Sequence, residues 1–344
     1  MEHAGRDIFI DFLKGLCIIS VVLTHSLPVV VQKYSAFALW GQMAVPLFLM
    51  LQAYHVYSNA LRRRHEGLPQ QPLHLSYRIS KVWTRILRPF LTVTLITALS
   101  LTLAGRDIST IISSCISSGG IGPGSYYVWI YLQFFLLIPV FTPIFLRYGA
   151  GPLTLTAFII VSQGLEWLCM LTHIPEPLYR LSCLRYIFLI YFAFLWATNH
   201  ISRTITFRQT MVSLLSMALL TVIYYTDFSL NPLLHDSAWR TFHWICYFYA
   251  ALLLPRFIWW LYLHLNERLR VTIAEIGRYS YEIFLWQMMV FVLFPRFIID
   301  TGNSVIDTTL FIILSTFISI FPVVAWKRQK PTILPKWLNM TDKA

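Results

Sequence analysis

The sequence predicts an all-α protein that lives in a bilayer: a polytopic bundle of about ten transmembrane helices with both termini cytoplasmic. Three observations lead there. The 344 residues are 57% hydrophobic and 16% aromatic, with a mean hydropathy of +0.63, a balance that soluble domains do not have. Apolar runs of about 20 residues, the length that crosses a hydrocarbon core, recur along the chain. The net charge of +12 sits in alternate connections between those runs rather than on one face, which is the positive-inside pattern. This distribution also removes a nucleic-acid reading of the charge.

The runs fall at 8–31, 36–58, 82–104, 126–147, 152–172, 184–200, 210–226, 241–262, 279–299 and 305–326. They form one unit, residues 1–330, followed by a short basic cytoplasmic tail at 331–344. The first run, IFIDFLKGLCIISVVLTHSLPVVV, lacks a short apolar core with a small-residue cleavage site and is expected to be retained. Arg62, Arg63, Arg64, Arg78 and Lys81 follow the second run, Arg203 and Arg208 the sixth, and Arg268, Arg270 and Arg278 the eighth. After the last run come Lys327, Arg328 and Lys330, and in the tail Lys336 and Lys343. The other side is diluted by Asp107, Asp227, Asp236, Asp300 and Asp307. Between the third and fourth runs, SSCISSGGIGPGS lacks the G-K-[ST] of a phosphate loop and reads as a flexible outer loop. The five cysteines show no C-x-x-C or Cys/His spacing, so neither a metal site nor a disulfide framework is expected.

Ionisable groups at membrane depth are expensive and mark sites by default. Asp11, Lys14 and His25 all lie on the first run. Asp11 and Lys14 are at i, i+3 and able to pair. Lys14 and His25, eleven residues apart, share a helix face and are separated by roughly 16 Å along the axis. The third run opens with Lys81-Val-Trp-Thr-Arg85-Ile-Leu-Arg88-Pro89. Arg85 and Arg88 share a face at its rim, and guanidinium forks suit phosphate. The bland alternatives are a packing histidine and ordinary positive-inside anchors. Glu166, in SQGLEWLC, and Glu282 and Gln287, in GRYSYEIFLWQ, are further polar groups inside apolar runs. A buried carboxylate there pairs or takes a raised pKa. His55, His173 and His243 read as packing or interface residues, and Trp129 first as part of an aromatic belt.

With these residues in hand, the chain resembles the bacterial membrane-bound acyltransferase type 3 family from about residue 6 to 326. A basic residue, ten residues and a histidine open the pattern, here Lys14 and His25 in DFLKGLCIISVVLTH. The R-x-x-R at the head of the third run is Arg85 and Arg88 in TRILRPF. GSYYVWIYLQFFLLIP sits at the family's aromatic-rich segment, and GRYSYEIFLWQ is similar to its late G-x-x-S-Y-x-I-Y-L-x-H. Two departures stand out: Gln52-Ala53 where Ser-Gly is usual, and Gln287 where many members have His.

The resemblance implies a transferase moving an acyl group, acetyl first, from acyl-CoA to a hydroxyl of a cell-surface or lipid-linked carbohydrate at the bacterial inner membrane. Arg85, Arg88 and Lys14 would hold the acyl-CoA phosphates, with acyl-CoA a cosubstrate and no cofactor resident. His25 would be catalytic, either as general base on the acceptor hydroxyl or as a covalent acyl carrier. Asp11 would orient Lys14, and Gln287, Tyr126 or the neighbouring Tyr127 would face the oxyanion. Glu166, Glu282 and Trp129 would support the site or the substrate. The rival from another class is a transporter or flippase of a lipid-linked sugar or small anion, with no covalent chemistry.

Overall fold

The computed structural model describes residues 7–68, 75–199, 206–226, 243–294 and 304–329. Helix α1 (Ile8–Ser26) begins where the Asp7 carboxylate accepts the Phe9 N–H at 2.9 Å. It ends at Ser26, because Leu27 is extended and Pro28 follows. The expected span to residue 31 is therefore corrected: Val29–Tyr34 is a separate short helix, α2, and His25 stands in the last turn of α1. Next come α3 (Phe37–Trp40), α4 (Ala44–His65), α5 (Leu75–Val82), α6 (Arg88–Leu103), α7 (Ile108–Ser118), α8 (Tyr126–Tyr148) and α9 (Pro152–Leu171). The chain continues through α10 (Glu176–Leu181), α11 (Phe188–Asn199), α12 (Phe207–Thr226), α13 (His243–Phe248), α14 (Leu254–His264), α15 (Glu267–Arg278), α16 (Ser280–Leu293) and α17 (Ser304–Gln329). No strand occurs among the described residues.

Among the described residues, seven helical stretches are long and apolar enough to cross a membrane: Ile8–Ser26, Phe37–His65, Ile79–Leu103, Tyr126–Tyr148, Pro152–Leu171, Ile245–His264 and Val305–Lys327. The other three expected spans coincide with shorter apolar helices, Leu184–Thr198, Phe207–Val222 and Ser280–Leu293. The last of these starts at Ser280, after a break at Tyr279, and 295–299 of its expected run lie outside the described residues. The basic tail at 331–344 and the outer-side Asp227, Asp236 and Asp300 lie outside the described residues.

Two π-helical turns, Trp83–Leu87 and Tyr249–Leu253, join α5 to α6 and α13 to α14. Each is followed after one residue by a proline, Pro89 or Pro255, which has no N–H to return to the preceding turn. Aromatic side chains from other helices take carbonyls there. The Trp196 indole donates to the Ala251 carbonyl at 2.7 Å, and the Tyr281 hydroxyl donates to the Ile86 carbonyl at 2.6 Å.

Helix α1 runs through the middle of the bundle, against α4, α14, α15, α16 and α17. Its Phe9, Phe12 and Leu13 join a core with Leu47, Met50 and Tyr57 of α4 and Phe188 and Phe192 of α11. Outward-facing Leu95, Leu99, Leu153, Ile160, Ile313 and Phe317 are exposed, as lipid-facing positions must be. The closest helix contact is α1 on α15. A Cβ on Gly277 would meet the Asp11 carbonyl, and one on Gly15 would meet the Ile273 carbonyl. Small residues thus let two backbones touch where lipid supplies no hydrophobic drive between helices.

The glycine loop is corrected too. Gly119, Gly120, Gly122 and Gly124 all have positive φ. A Cβ on Gly122 would strike the Met288 carbonyl, and the Gln287 amide donates to the Pro123 carbonyl at 3.3 Å. Gly122 and Gly124 pack against α16, Gly119 against Trp129 and Gly120 against Phe90, so the glycines serve close packing rather than freedom of a loop in solvent.

Gly277→Ala is expected to cost about 1–3 kcal/mol of stability by overpacking. Gly164→Ala, at a helical glycine with nothing within 4 Å of the added carbon, is expected to gain about 0.5–1 kcal/mol. Thermal unfolding of the two variants in detergent should shift in opposite directions.

Candidate functional site

The α1–α15 contact carries Arg278, the last residue of α15, to Asp11 on α1. Asp11 is buried, and both its oxygens are engaged: Lys14 Nζ lies 3.7 Å from Oδ1 and Arg278 Nε 3.7 Å from Oδ2. One carboxylate thus draws two cations together, which offsets the cost of its own burial. The expected Asp11–Lys14 pair is present. Arg278 joins it rather than Glu282, because the Tyr279 break separates Arg278 and Glu282 onto two helices.

Above this cluster lies a cavity of about 560 Å³. Lys14, Ile18, Val21, Thr24 and His25 form one wall, so the shared helix face read from the sequence is the face that looks into it. Opposite elements contribute Gln52 and His55 of α4, Tyr126, Tyr127 and Tyr131 of α8, Arg180 and Arg185, Tyr247, and Arg278 and Tyr281. The His25 ring is half-buried and meets Phe291 edge-on, with centroids 5.8 Å apart. Ser26 beside it accepts the Ser315 hydroxyl at 2.9 Å, tying the end of α1 to α17.

Arg85 and Arg88 are exposed, the first in the π turn and the second at the start of α6, and neither lines the cavity. Between them in sequence, Ile86 does line it, and its carbonyl is the one held by Tyr281. Tyr281 stands three residues after Arg278, so the arginine pair lies at the Asp11 end of α1. Tyr126 lines the cavity. Trp129 does not; its indole donates to the Gly119 carbonyl at 2.5 Å and holds the glycine loop. Gln287 is buried behind that loop. Glu166 is buried away from the cavity, with the Tyr179 hydroxyl 2.9 Å from each of its oxygens. Glu282 pairs with Lys327 at 2.9 Å, so Lys327 closes an ion pair at the end of α17.

Several cavity residues escaped the sequence reading, Arg180, Tyr247 and Tyr281 among them. His55 reads as a packing histidine, and Gln52 only as a departure from the family pattern. Arg278 reads as a basic residue of a connection. Arg185 opens an apolar run, in SCLRYIFLIYF, and its burial among tyrosines is the feature that marks it. Among the described residues no group of three or more His, Cys, Asp or Glu is placed to hold a metal.

A family model described as an acyltransferase domain matches residues 7–325, nearly the whole of this arrangement. No curated protein and no solved structure matches the chain. The chain belongs to the acyltransferase type 3 family, and it is a multi-pass membrane acyltransferase.

Replacing both cations, Lys14→Met with Arg278→Met, leaves Asp11 short of two partners. The double variant is expected to lose about 1–3 kcal/mol. Adding Asp11→Asn should restore part of that loss in the same detergent melt, because the unmatched charge is gone.

Proposed function

We propose that this acyltransferase moves an acyl group, acetyl first, from acyl-CoA to a hydroxyl of a cell-surface or lipid-linked carbohydrate at a bacterial inner membrane. The observation that carries the reading is that His25, Lys14 and Arg278 share one cavity large enough for a thioester arm and a sugar, with Arg85 and Arg88 exposed at the Asp11 end. The positive-inside distribution of the basic connections supports reading that end as cytoplasmic, where acyl-CoA is found.

Arg85 and Arg88 bind the donor's phosphates, and Lys14 and Arg278 meet the arm as it enters. The thioester carbonyl lies beside His25. The acceptor hydroxyl gives its proton to the imidazole as its oxygen attacks the carbonyl carbon. The C–S bond breaks, the new C–O ester bond remains, and the proton passes to the departing CoA thiolate. A covalent route would have the imidazole nitrogen attack the thioester first, the C–S bond breaking and CoA leaving as the thiolate; the acceptor oxygen then displaces the imidazole, and its proton goes to the thiolate. Both routes need His25 neutral.

The Tyr281 hydroxyl bond to the Ile86 carbonyl links the cavity wall to the turn that carries Arg85. Tyr281 is a positioning residue in this reading.

In nanodiscs with labelled acetyl-CoA and a crude glycan extract, His25→Ala should abolish both transfer and acceptor-dependent CoA release. Arg85→Ala with Arg88→Ala should raise KM for the donor at least tenfold. Folded wild-type protein that neither binds nor cleaves any of several acyl-CoAs, yet moves a lipid-linked sugar unchanged across the bilayer, would overturn the reading. Tyr281→Phe should raise the donor KM several-fold while kcat stays within about twofold, since only the placement of the turn is disturbed.

A further inference from the structure

The cavity wall carries a second cationic group that neither the donor site nor the acyl-transfer step uses. Arg185 stands on the short 3-10 turn Leu184–Tyr186 that leads into α11. Its guanidinium carbon lies 4.6 Å from the ring centroid of Tyr186, 5.7 Å from Tyr126 and 5.9 Å from Tyr179. Arg180 approaches the same Tyr126 ring at 5.8 Å. The Tyr247 hydroxyl donates to the Arg185 carbonyl at 3.0 Å and pins the turn. Arg185, Arg180, Tyr126, Tyr186 and Tyr247 all line the cavity.

The electrostatics of this corner are incomplete. Lys14 and Arg278 have Asp11 between them. Among the described residues no carboxylate forms an ion pair with Arg185, and its buried Nε has no hydrogen-bond partner. The buried acid of this region, Glu166, takes the Tyr179 hydroxyl instead. Aromatic faces attract a guanidinium without neutralising it. A cation withdrawn from water and facing a ligand cavity calls for an anion from the ligand. A guanidinium meets carboxylate and phosphate oxygens in a two-pronged geometry that ammonium cannot offer. The surrounding tyrosine rings present flat apolar surface beside it, as the face of a sugar ring requires.

We infer that Arg185, assisted by Arg180, is the anion-binding part of the acceptor subsite, and that the acceptor is an acidic carbohydrate whose oxyanion docks on Arg185 while its ring lies against Tyr126, Tyr186 or Tyr247. The oxyanion is either a carboxylate of the sugar itself or a diphosphate linking it to a carrier lipid. This inference rests on the acyltransferase reading for the word acceptor, whereas the anion site stands on its own geometry.

The test measures binding to the full-length protein in nanodiscs with four probes: galacturonate, galactose, inorganic pyrophosphate and acetyl-CoA. The acidic sugar or pyrophosphate should bind saturably and galactose at least tenfold more weakly. Preference for galacturonate assigns the carboxylate source, and preference for pyrophosphate the lipid-linked source. Arg185→Gln should weaken the preferred anion at least tenfold and Arg185→Lys less, with acetyl-CoA affinity kept within about twofold in both. Galactose binding as tightly as the preferred anion, or no binding of either anion, would overturn the proposal. So would a loss of acetyl-CoA affinity in Arg185→Gln matching its loss of the anion, because Arg185 would then belong to the donor. If Arg185→Gln does not fold, Arg180→Gln is read by the same criteria with a several-fold effect expected. Wild-type protein that binds the anion through Arg185 but no acyl-CoA would leave the anion site standing and remove the acyltransferase reading above it.

Discussion

The contact between α1 and α15 is the constraint on which the rest of the structure depends. Two glycines, Gly15 and Gly277, let the helices meet backbone to backbone. Arg278 follows Gly277 directly, so the approach that needs the glycine also delivers the guanidinium to Asp11. Packing and electrostatics are therefore one event here. A side chain on Gly277 would press on the Asp11 carbonyl and separate the charges as well as the helices. With α1 held in this way, its Lys14–His25 face is left to line a cavity while its Phe9, Phe12 and Leu13 remain in the core.

Backbone irregularity in the bundle has the same economy. In a bilayer every main-chain polar group needs a partner within the protein. Proline at the start of α6 and α14 leaves carbonyls behind, and the structure answers with π turns and with hydrogen bonds from Tyr281 and Trp196 on other helices. The glycine loop before α8 follows this rule as well. It approaches α16 so closely that its Pro123 carbonyl accepts from Gln287 and its Gly119 carbonyl from Trp129. The non-helical chain here finds its partners within the protein.

Much of this was legible in the sequence, and what was missed has physical causes. The helical class and most long spans follow from hydropathy, because a bilayer demands length and apolarity that composition displays directly. The face shared by Lys14 and His25 follows from helix periodicity. The true end of α1 depended on Pro28 ending a run whose hydropathy continues to Val31. The role of the glycine loop could not be read because glycine signals permissive backbone, and whether that freedom serves motion or close contact is decided by the neighbour, here Met288. Arg278 and Arg185 were hidden for a related reason. Each sits at a boundary where a basic residue is ordinary, and only tertiary contact with Asp11 or with a ring of tyrosines distinguishes it.

The tyrosines show how a cavity of this size keeps its shape inside a membrane bundle. Tyr281 and Tyr247 both line it, yet their hydroxyls donate to the carbonyls of Ile86 and Arg185. Tyr179, behind the wall, donates to Glu166 while its ring faces the Arg185 guanidinium. In each case the polar end anchors a turn or an acid, so the rotamer is fixed and the ring remains as a flat surface. Each anchored turn bears a basic residue: Arg85 beside Ile86, and Arg185 itself. The turns that bear Arg85 and Arg185 are thus held by tyrosine hydroxyls on neighbouring helices, while Asp11 holds Lys14 and Arg278. Charge can be held at membrane depth without a carboxylate beside every guanidinium, which keeps some of that charge available to a ligand.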